Sequence, residues 1–190
     1  MATPATADRI LNIAERLAQT QGFNGFSYAD IAKELRITKA TLHYHFPSKA
    51  ELGRRLLERY HRSFVAALQD IDRTADGAAV KLERYVALYA AVLAKHRMCL
   101  CGMLAAELTT LPKPMREGVR AFFLANEAWV ARVLDDGVRQ GILRVTGSTP
   151  AAAARLVASL EGAMILARSF GDVGRFEAAS HAMLAELVAT

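Results

Sequence analysis

Residues 27–52 read SYADIAKELRITKATLHYHFPSKAEL, and they contain two short helical patterns separated by a tight turn. Ser27 and Asp30 have the spacing of a capping box, which predicts that a helix starts just after Ser27. Thr38 is a suitable N-cap for a second helix over residues 39–46. Two short helices joined in this way are typical of a helix-turn-helix unit, which places its second helix in the major groove of DNA.

The predicted second helix has an apolar side and a polar side. Leu42 and Phe46 are four residues apart and face inward. Ala40, Thr41 and Tyr44 point away from that edge, so the outward surface is short, polar and aromatic. Lys39 can reach the acceptors of guanine, and the methyl groups of Ala40 and Thr41 can meet the methyl of thymine. The helix N-termini nearby are suited to phosphate groups. The predicted DNA-binding residues are Ser27, Thr38, Lys39, Ala40, Thr41, His43, Tyr44, His45 and Lys49.

The pattern L-x-x-H-F-x-x-K-x-x-L over residues 42–52 resembles the DNA-binding region of the TetR (tetracycline-repressor-like) family of transcriptional regulators. The resemblance extends from residue 8 to about residue 60. It implies about nine helices, a homodimer, and a variable C-terminal domain that binds a small ligand and thereby releases operator DNA.

Two positions depart from the family pattern. Arg36 stands in the turn where the family usually has Gly, and a left-handed backbone there would cost about 1 kcal/mol. His43 stands where the family often has Tyr, which leaves open whether this residue contacts a base, a phosphate or solvent. Its imidazole titrates near neutrality, so DNA binding could depend on pH.

The composition fits a helical protein of one domain or two small ones. The chain has 190 residues, of which 53% are hydrophobic, and a net charge of +5. Residues 1–62 contain ten Lys or Arg and six acids, so most of the positive charge lies in the helix-turn-helix region. We predict an all-α fold with three parts: a three-helix DNA-binding domain over residues 1–48, a connecting helix over 49–74, and a ligand-binding and dimerisation bundle over 75–190.

Several functional classes are not expected from this sequence. It contains no phosphate-binding loop, Gly-x-Ser-x-Gly or His-Glu-x-x-His motif, so we predict neither an enzyme nor a cofactor. The N-terminus lacks the pattern of a secretory signal, and no uninterrupted apolar run reaches about 18 residues. We therefore expect a cytoplasmic protein.

Aromatic and sulfur-containing residues are frequent in the C-terminal half. Most such residues fill the core of a helical bundle, yet clefts between helices are also common ligand sites. Together with the family resemblance, this favours a pocket for a hydrophobic effector. The predicted pocket residues are Tyr89, Met103, Phe123 and Trp129.

Cys99 and Cys101, which follow His96, allow three interpretations. They are small buried residues at the start of a helix, a redox or electrophile sensor, or part of a metal site. The first is preferred, because free Cys is among the most buried residue types. No metal site is predicted, although His-x-x-Cys-x-Cys supplies three of the three or four donors that a metal needs.

The last two predicted helices carry apolar and small residues suited to close packing. Two helices from each of two chains would form a four-helix bundle, although the same residues also suit the core of a single chain. The predicted dimer-interface residues are Leu156, Leu160, Gly162, Met164, Phe176, Met183 and Leu187.

Taken together, the sequence predicts a homodimeric repressor that leaves a palindromic operator when a small hydrophobic effector binds. The first alternative is a repressor that senses oxidants or electrophiles through Cys99 and Cys101. A more remote alternative is an all-α enzyme without a recognisable catalytic motif.

Overall fold

The computed structural model describes residues 4–189. Residues 1–3 of the predicted first domain and residue 190 of the predicted last domain lie outside this range. Within that range the chain forms nine α-helices and one 3-10 turn, and the predicted all-α fold is confirmed. In chain order the elements are α1 (Pro4–Gln21), α2 (Tyr28–Leu35), α3 (Lys39–His45), α4 (Lys49–Thr74), α5 (Ala78–Leu93), α6 (Leu100–Ala106), η1 (Leu108–Thr110), α7 (Lys113–Arg139), α8 (Thr149–Phe170) and α9 (Gly174–Ala185).

The described residues form two compact units. The first comprises residues 4–62 and 100–121, and the second comprises residues 63–99 and 122–189. The chain therefore passes between the units three times, within α4, just before α6 and within α7.

The first unit is built around the three N-terminal helices. α1 packs against α2 and α6, and α2 packs against α3. Ile10 of α1, Ile31 of α2 and Leu42 of α3 are completely buried. Burial of an aliphatic side chain of this size contributes about 1.5–3 kcal/mol, so these contacts hold the short helices in place.

The turn between α2 and α3 depends on one residue in the left-handed region. Arg36, which stands where the family usually has Gly, has φ 56° and ψ 43°. This conformation lets the N–H of Ile37 donate to the carbonyl of Ala32 at 3.0 Å, which closes the end of α2. Thr38 then caps α3, because its Oγ1 accepts from the N–H of Thr41 at 3.1 Å.

The second unit is built around α5, α8 and α9, with α8 packed against both of the others. Ser148 caps the start of α8, and Gly171 ends it in a left-handed conformation. Among the described helices, α8 alone is long and apolar enough to cross a membrane by length and composition. Its most apolar window is 44% buried inside the protein, as in many core helices.

Prolines and turns separate the helices that follow α5. The 3-10 turn η1 follows α6, and α7 begins at Lys113 because Pro114 is tolerated in a first helical turn. The last helix ends at Ala185. The chain beyond it pairs with residues 142–144 through two backbone hydrogen bonds of 2.7 and 3.0 Å.

Replacement of Arg36 by Gly should stabilise the protein. Gly adopts the left-handed conformation without the Cβ clash, so we expect the free energy of unfolding to rise by about 1 kcal/mol in chemical denaturation. Arg36→Ala is the matched control, because it removes the guanidinium but keeps the Cβ. Equal stability changes in the two variants would contradict this explanation.

Candidate functional site

The outward surface of α3 is the central feature of the first unit. Leu42 is completely buried and Phe46 is 3% exposed, so these two side chains attach the helix to the core. On the other side Tyr44 is 72% exposed, and Lys39 and His43 are also exposed. The predicted division of this helix into an inward and an outward face is therefore observed.

The hydroxyl groups at the start of α3 form hydrogen bonds within the protein. Thr38 caps the helix, and its Oγ1 lies 2.9 Å from Oγ1 of Thr41. Thr38 and Ala40 are exposed and Thr41 is half-buried. The N-terminal turn of α3 therefore presents small side chains, which permit a close approach to another surface.

Tyr28 fixes the other end of α3. Its hydroxyl donates to the carbonyl of Phe46 at 2.8 Å, and its ring lies 4.8 Å from that of His43. Burial, with a smaller contribution from Glu51, raises the pKa of Tyr28 to about 12, so it remains a donor at neutral pH. His43 also contacts the carbonyl of Pro47 through Nδ1 at 3.2 Å.

A capping box orders the start of α2. The N–H and the hydroxyl of Ser27 both donate to Asp30, at 2.7 and 2.8 Å, and these bonds hold the pKa of Asp30 below its ordinary value. The predicted box is thus confirmed, and Ser27 remains exposed at the helix N-terminus.

Lys49 points inward at the base of this surface. Its Nζ donates to the carbonyl of Phe26 and lies 4.5 Å and 4.9 Å from the ring centres of Phe26 and Phe23. Burial lowers the pKa of Lys49, against the opposing effect of Glu107 and Asp30. Four of the predicted DNA-binding residues share an open cleft of about 340 Å³. These residues are Ser27, Lys39, His43 and Lys49.

His45 is oriented differently from its neighbours on α3. The residue is half-buried, and its Nε2 is shielded from solvent without a hydrogen-bond partner in the described part of the chain. This nitrogen is therefore not presented on the outward surface of α3.

Glu107 supports the loop that precedes α2. Its carboxylate accepts from the N–H of Phe23 at 2.7 Å and from that of Asn24 at 3.2 Å. The side chain of Asn24 also donates to Thr110 at 2.8 Å. This support was not predicted from the sequence, because no local pattern connects residues more than 80 positions apart.

The second unit contains a buried aromatic cluster around Tyr85. Trp129 stacks on Tyr85 with ring centres 5.4 Å apart, and Tyr89 lies at the same distance on another side. Phe64 contacts both tyrosines and lies 5.0 Å from Phe122.

The residues predicted for the pocket do not all lie in the second unit. Tyr89 and Trp129 are members of the aromatic cluster, and half-buried Phe123 contacts Phe122 at 5.5 Å. Met103 lies on α6 and belongs to the first unit.

Hydrogen bonds satisfy the polar groups of the cluster. The hydroxyl of Tyr85 donates to Oδ1 of Asn126 at 2.9 Å and lies 3.1 Å from the hydroxyl of Tyr89. Trp129 donates to Asp72 at 3.0 Å. Burial raises the pKa of Asp72, but hydrogen bonds led by that from Arg132 outweigh it and hold the pKa below its ordinary value.

Glu161 on α8 differs from the hydrogen-bonded polar groups of the aromatic cluster. Both carboxylate oxygens are buried, and no nitrogen or oxygen donor among the described residues bonds to either of them. Burial raises the pKa of Glu161 to about 7, against a side-chain hydrogen bond with Cys99, which lowers it. Glu161 is the only charged residue between Arg155 and Arg168 in an otherwise apolar helix, and this was the one signal in the sequence that could have found it.

The two cysteines are 2% and 0% exposed and form no disulfide. Burial of this kind limits reaction with oxidants, so it gives no support to redox sensing through Cys99 or Cys101. The residues that the structure describes include no group of three or more side chains able to hold a metal ion.

The residues predicted for a dimer interface lie mostly inside the second unit. Leu156, Leu160, Met164 and Phe176 are buried within the single chain, because α8 turns this side towards α5 and α9. Half-buried Gly162, Met183 and Leu187 are closer to the surface. The exposed large apolar residues of α8 are instead Ile165, Leu166 and Phe170.

Two family models match this chain. Residues 10–56 match the model for bacterial regulatory proteins of the tetR family, and residues 78–183 match the model for the tetracyclin repressor-like C-terminal domain. The first match covers the helix-turn-helix, and the second covers most of the second unit.

Known proteins are similar over nearly the whole chain. A TetR-family transcriptional regulator from Agrobacterium tumefaciens is 35% identical with a TM-score of 0.94, covering 97% of this chain and 98% of that one. A TetR transcriptional regulator from Legionella pneumophila is 30% identical with a TM-score of 0.88, covering 98% and 100%. The HTH-type transcriptional repressor NemR of Escherichia coli is 25% identical over 169 residues, 86% of this chain and 84% of NemR.

The stability of this protein should depend on pH through Glu161. Its folded-state pKa of about 7 lies above the ordinary value of 4.5, so its stabilising contribution is complete below pH 4.5 and is lost as the pH rises through 7. Between pH 5 and pH 8 we expect the free energy of unfolding of the wild type to fall by about 2–3 kcal/mol relative to that of Glu161→Gln. Denaturant unfolding at each pH measures both. The exposed-site variant Glu177→Gln serves as control, and parallel pH profiles for wild type and Glu161→Gln would refute the assignment.

Proposed function

Because the chain belongs to the TetR family of bacterial transcriptional regulators, we propose that it is a homodimeric repressor that leaves a palindromic operator when a small hydrophobic effector binds its C-terminal domain. Members of this family are regulators and not enzymes, and we propose that this protein likewise acts by binding and not by catalysis. Its proposed location is the cytoplasm, where operator DNA is found.

The observation that carries the DNA-binding proposal is the outward face of α3. A short helix with small and polar side chains outside and a buried leucine inside has the form needed to enter a major groove. We assign base contacts to Lys39, Ala40 and Thr41, since a cation can reach guanine and methyl groups can meet thymine.

Phosphate contacts are assigned to the residues around this helix. Exposed Tyr44 can donate a hydroxyl hydrogen bond to a phosphate oxygen, and Ser27 can do so once its hydroxyl leaves Asp30. Lys49 needs to leave the Phe26 carbonyl in order to reach a phosphate. Thr38, His43 and His45 complete the proposed DNA-binding set.

Dimerisation is proposed to involve the exposed apolar side of α8. Ile165, Leu166 and Phe170 are more than half exposed, and Gly162 leaves open space beside the helix. A two-fold dimer presents two copies of α3 to DNA, and half-sites about one helical turn apart would match them.

The effector is proposed to bind at the aromatic cluster of the second unit, within the C-terminal domain assigned to residues 75–190. An effector that prefers the conformation with low affinity for DNA shifts the population towards it, so effector and operator oppose each other. The DNA-binding domain over 1–48 and the connecting helix over 49–74 are the other two proposed functional parts.

Variants of the α3 surface test the DNA-binding proposal. We expect Lys39→Ala and Tyr44→Ala each to weaken binding to DNA from upstream of the protein's own gene by about 10–100-fold, because each removes a direct contact. Fluorescence anisotropy at moderate salt measures the affinity, and substituted operators reveal the base that Lys39 reads.

Arg73→Ala is the matched control for the loss of one positive charge. Arg73 is exposed at the end of α4 in the second unit, so this variant should bind DNA within about twofold of wild type. Absence of a sequence-specific complex with wild-type protein would exclude the repressor function.

A further inference from the structure

A cavity of about 360 Å³ opens between α5 and α9 in the second unit. Its floor contains Leu82, which is 1% exposed, and Leu143 from the loop after α7, which is 3% exposed. None of the residues that line it belongs to the aromatic cluster of Tyr85, Tyr89 and Trp129, so the cavity is separate from that cluster. The other apolar residues of the lining are Ala79, Leu184, Ala185 and Val188.

The walls of this cavity are held in place by contacts within the chain. Residues 187–189, which follow α9, pair with residues 142–144 through the two backbone hydrogen bonds of 2.7 and 3.0 Å. Leu143 lies in this paired segment and packs closely on α7, because a Cβ at Gly137 would be only 2.5 Å from its Cδ1. The cavity is therefore already formed in the folded chain, as is usual for sites that bind small molecules.

The size and the lining of the cavity define the body of a ligand. An apolar cavity of about 150 Å³ holds benzene, so a cavity of more than twice that volume has room for two fused rings. Six of the eight lining residues are apolar, and burial of hydrocarbon against them is the main source of affinity available here.

Two polar side chains at the rim define the head of the ligand. Glu83 on α5 and His181 on α9 both line the cavity and are exposed. A carboxylate accepts hydrogen bonds, whereas a neutral imidazole donates one through one of its nitrogens. A hydroxyl group can donate to the first and accept from the second, but an anionic group would be repelled by Glu83. An ammonium group would lose more hydration than a hydroxyl, and an ion pair at an exposed rim offsets little of that loss.

We propose that this cavity binds a neutral and mainly apolar molecule that carries a hydroxyl group, namely a phenol or an alcohol with a body the size of two fused rings. The body would lie against the leucines of the floor, and the hydroxyl between Glu83 and His181. The site is additional to the effector site proposed at the aromatic cluster, and its occupancy does not depend on DNA binding.

Three probes with the same rings test the chemical class of the ligand. 2-Naphthol is uncharged at neutral pH, whereas 2-naphthoate is an anion and 2-naphthylmethylammonium is a cation. Isothermal titration calorimetry with the full-length protein measures the three affinities. We expect 2-naphthol to bind at least about tenfold more tightly than 2-naphthoate and at least about threefold more tightly than the ammonium ion. Binding of either ion as tightly as 2-naphthol, or no saturable binding of 2-naphthol, would overturn the proposal.

A larger side chain in the lining tests the location of the site. Ala185→Leu fills part of the cavity, so we expect it to weaken binding of 2-naphthol by at least about tenfold. Ala87→Leu is the matched control, because Ala87 is also an exposed alanine but lies outside the lining, and its affinity should stay within about twofold of wild type. An unchanged affinity in Ala185→Leu would mean that 2-naphthol binds elsewhere, and the proposed site would be wrong.

Glu83→Gln tests the origin of the selectivity against anions. This variant removes the negative charge but keeps a hydrogen-bond acceptor, so the affinity for 2-naphthoate should rise at least about threefold while that for 2-naphthol stays within about twofold. Glu177→Gln, an exposed acid of α9 outside the lining, should change neither affinity. An unchanged affinity for 2-naphthoate in Glu83→Gln would contradict the proposed role of Glu83. The comparison of the three probes uses wild-type protein without DNA, so it remains decisive even if a variant fails to fold and is independent of repression.

Discussion

The burial of Leu42 is the contact on which the DNA-binding surface depends. α3 has only seven residues, far fewer than the roughly 12–15 that an isolated helix needs to be even marginally stable in water. Its position is therefore set by the core beneath it, by the Thr38 cap and by the bond from Tyr28 to the Phe46 carbonyl. The exposed side chains of Lys39, Ala40 and Tyr44 can differ in chemistry, because the contacts named above hold the helix without them.

Local signals in the sequence were sufficient to predict where α2 and α3 begin and which side of α3 faces inward. The capping box at Ser27, the cap at Thr38 and the spacing of Leu42 and Phe46 each depend on residues within one helical turn, and the structure has all of them. The left-handed backbone at Arg36 occurs where the family usually has Gly, which is the position that made this conformation conceivable from the sequence. Each of these features follows from short-range geometry.

Long-range features required the three-dimensional structure. Glu107 supports the loop before α2 from more than 80 residues away, and no periodicity in the sequence connects the two. The same limit applies to the predicted interface, because a stripe of apolar residues on α8 does not reveal whether it faces its own chain or another. Glu161 was visible as a lone acid in an apolar helix, but only the structure shows that both of its carboxylate oxygens are buried.

The discontinuity of the first unit has a consequence for how the protein is made and how it evolves. Residues 100–121 are part of this unit, so a ribosome that has released only the first 62 residues has not yet supplied Glu107 and Thr110. The DNA-binding unit completes its folding after residues 63–99 of the other unit have been synthesised. A recombination event that exchanged the chain at residue 62 would separate the helix-turn-helix from its own support.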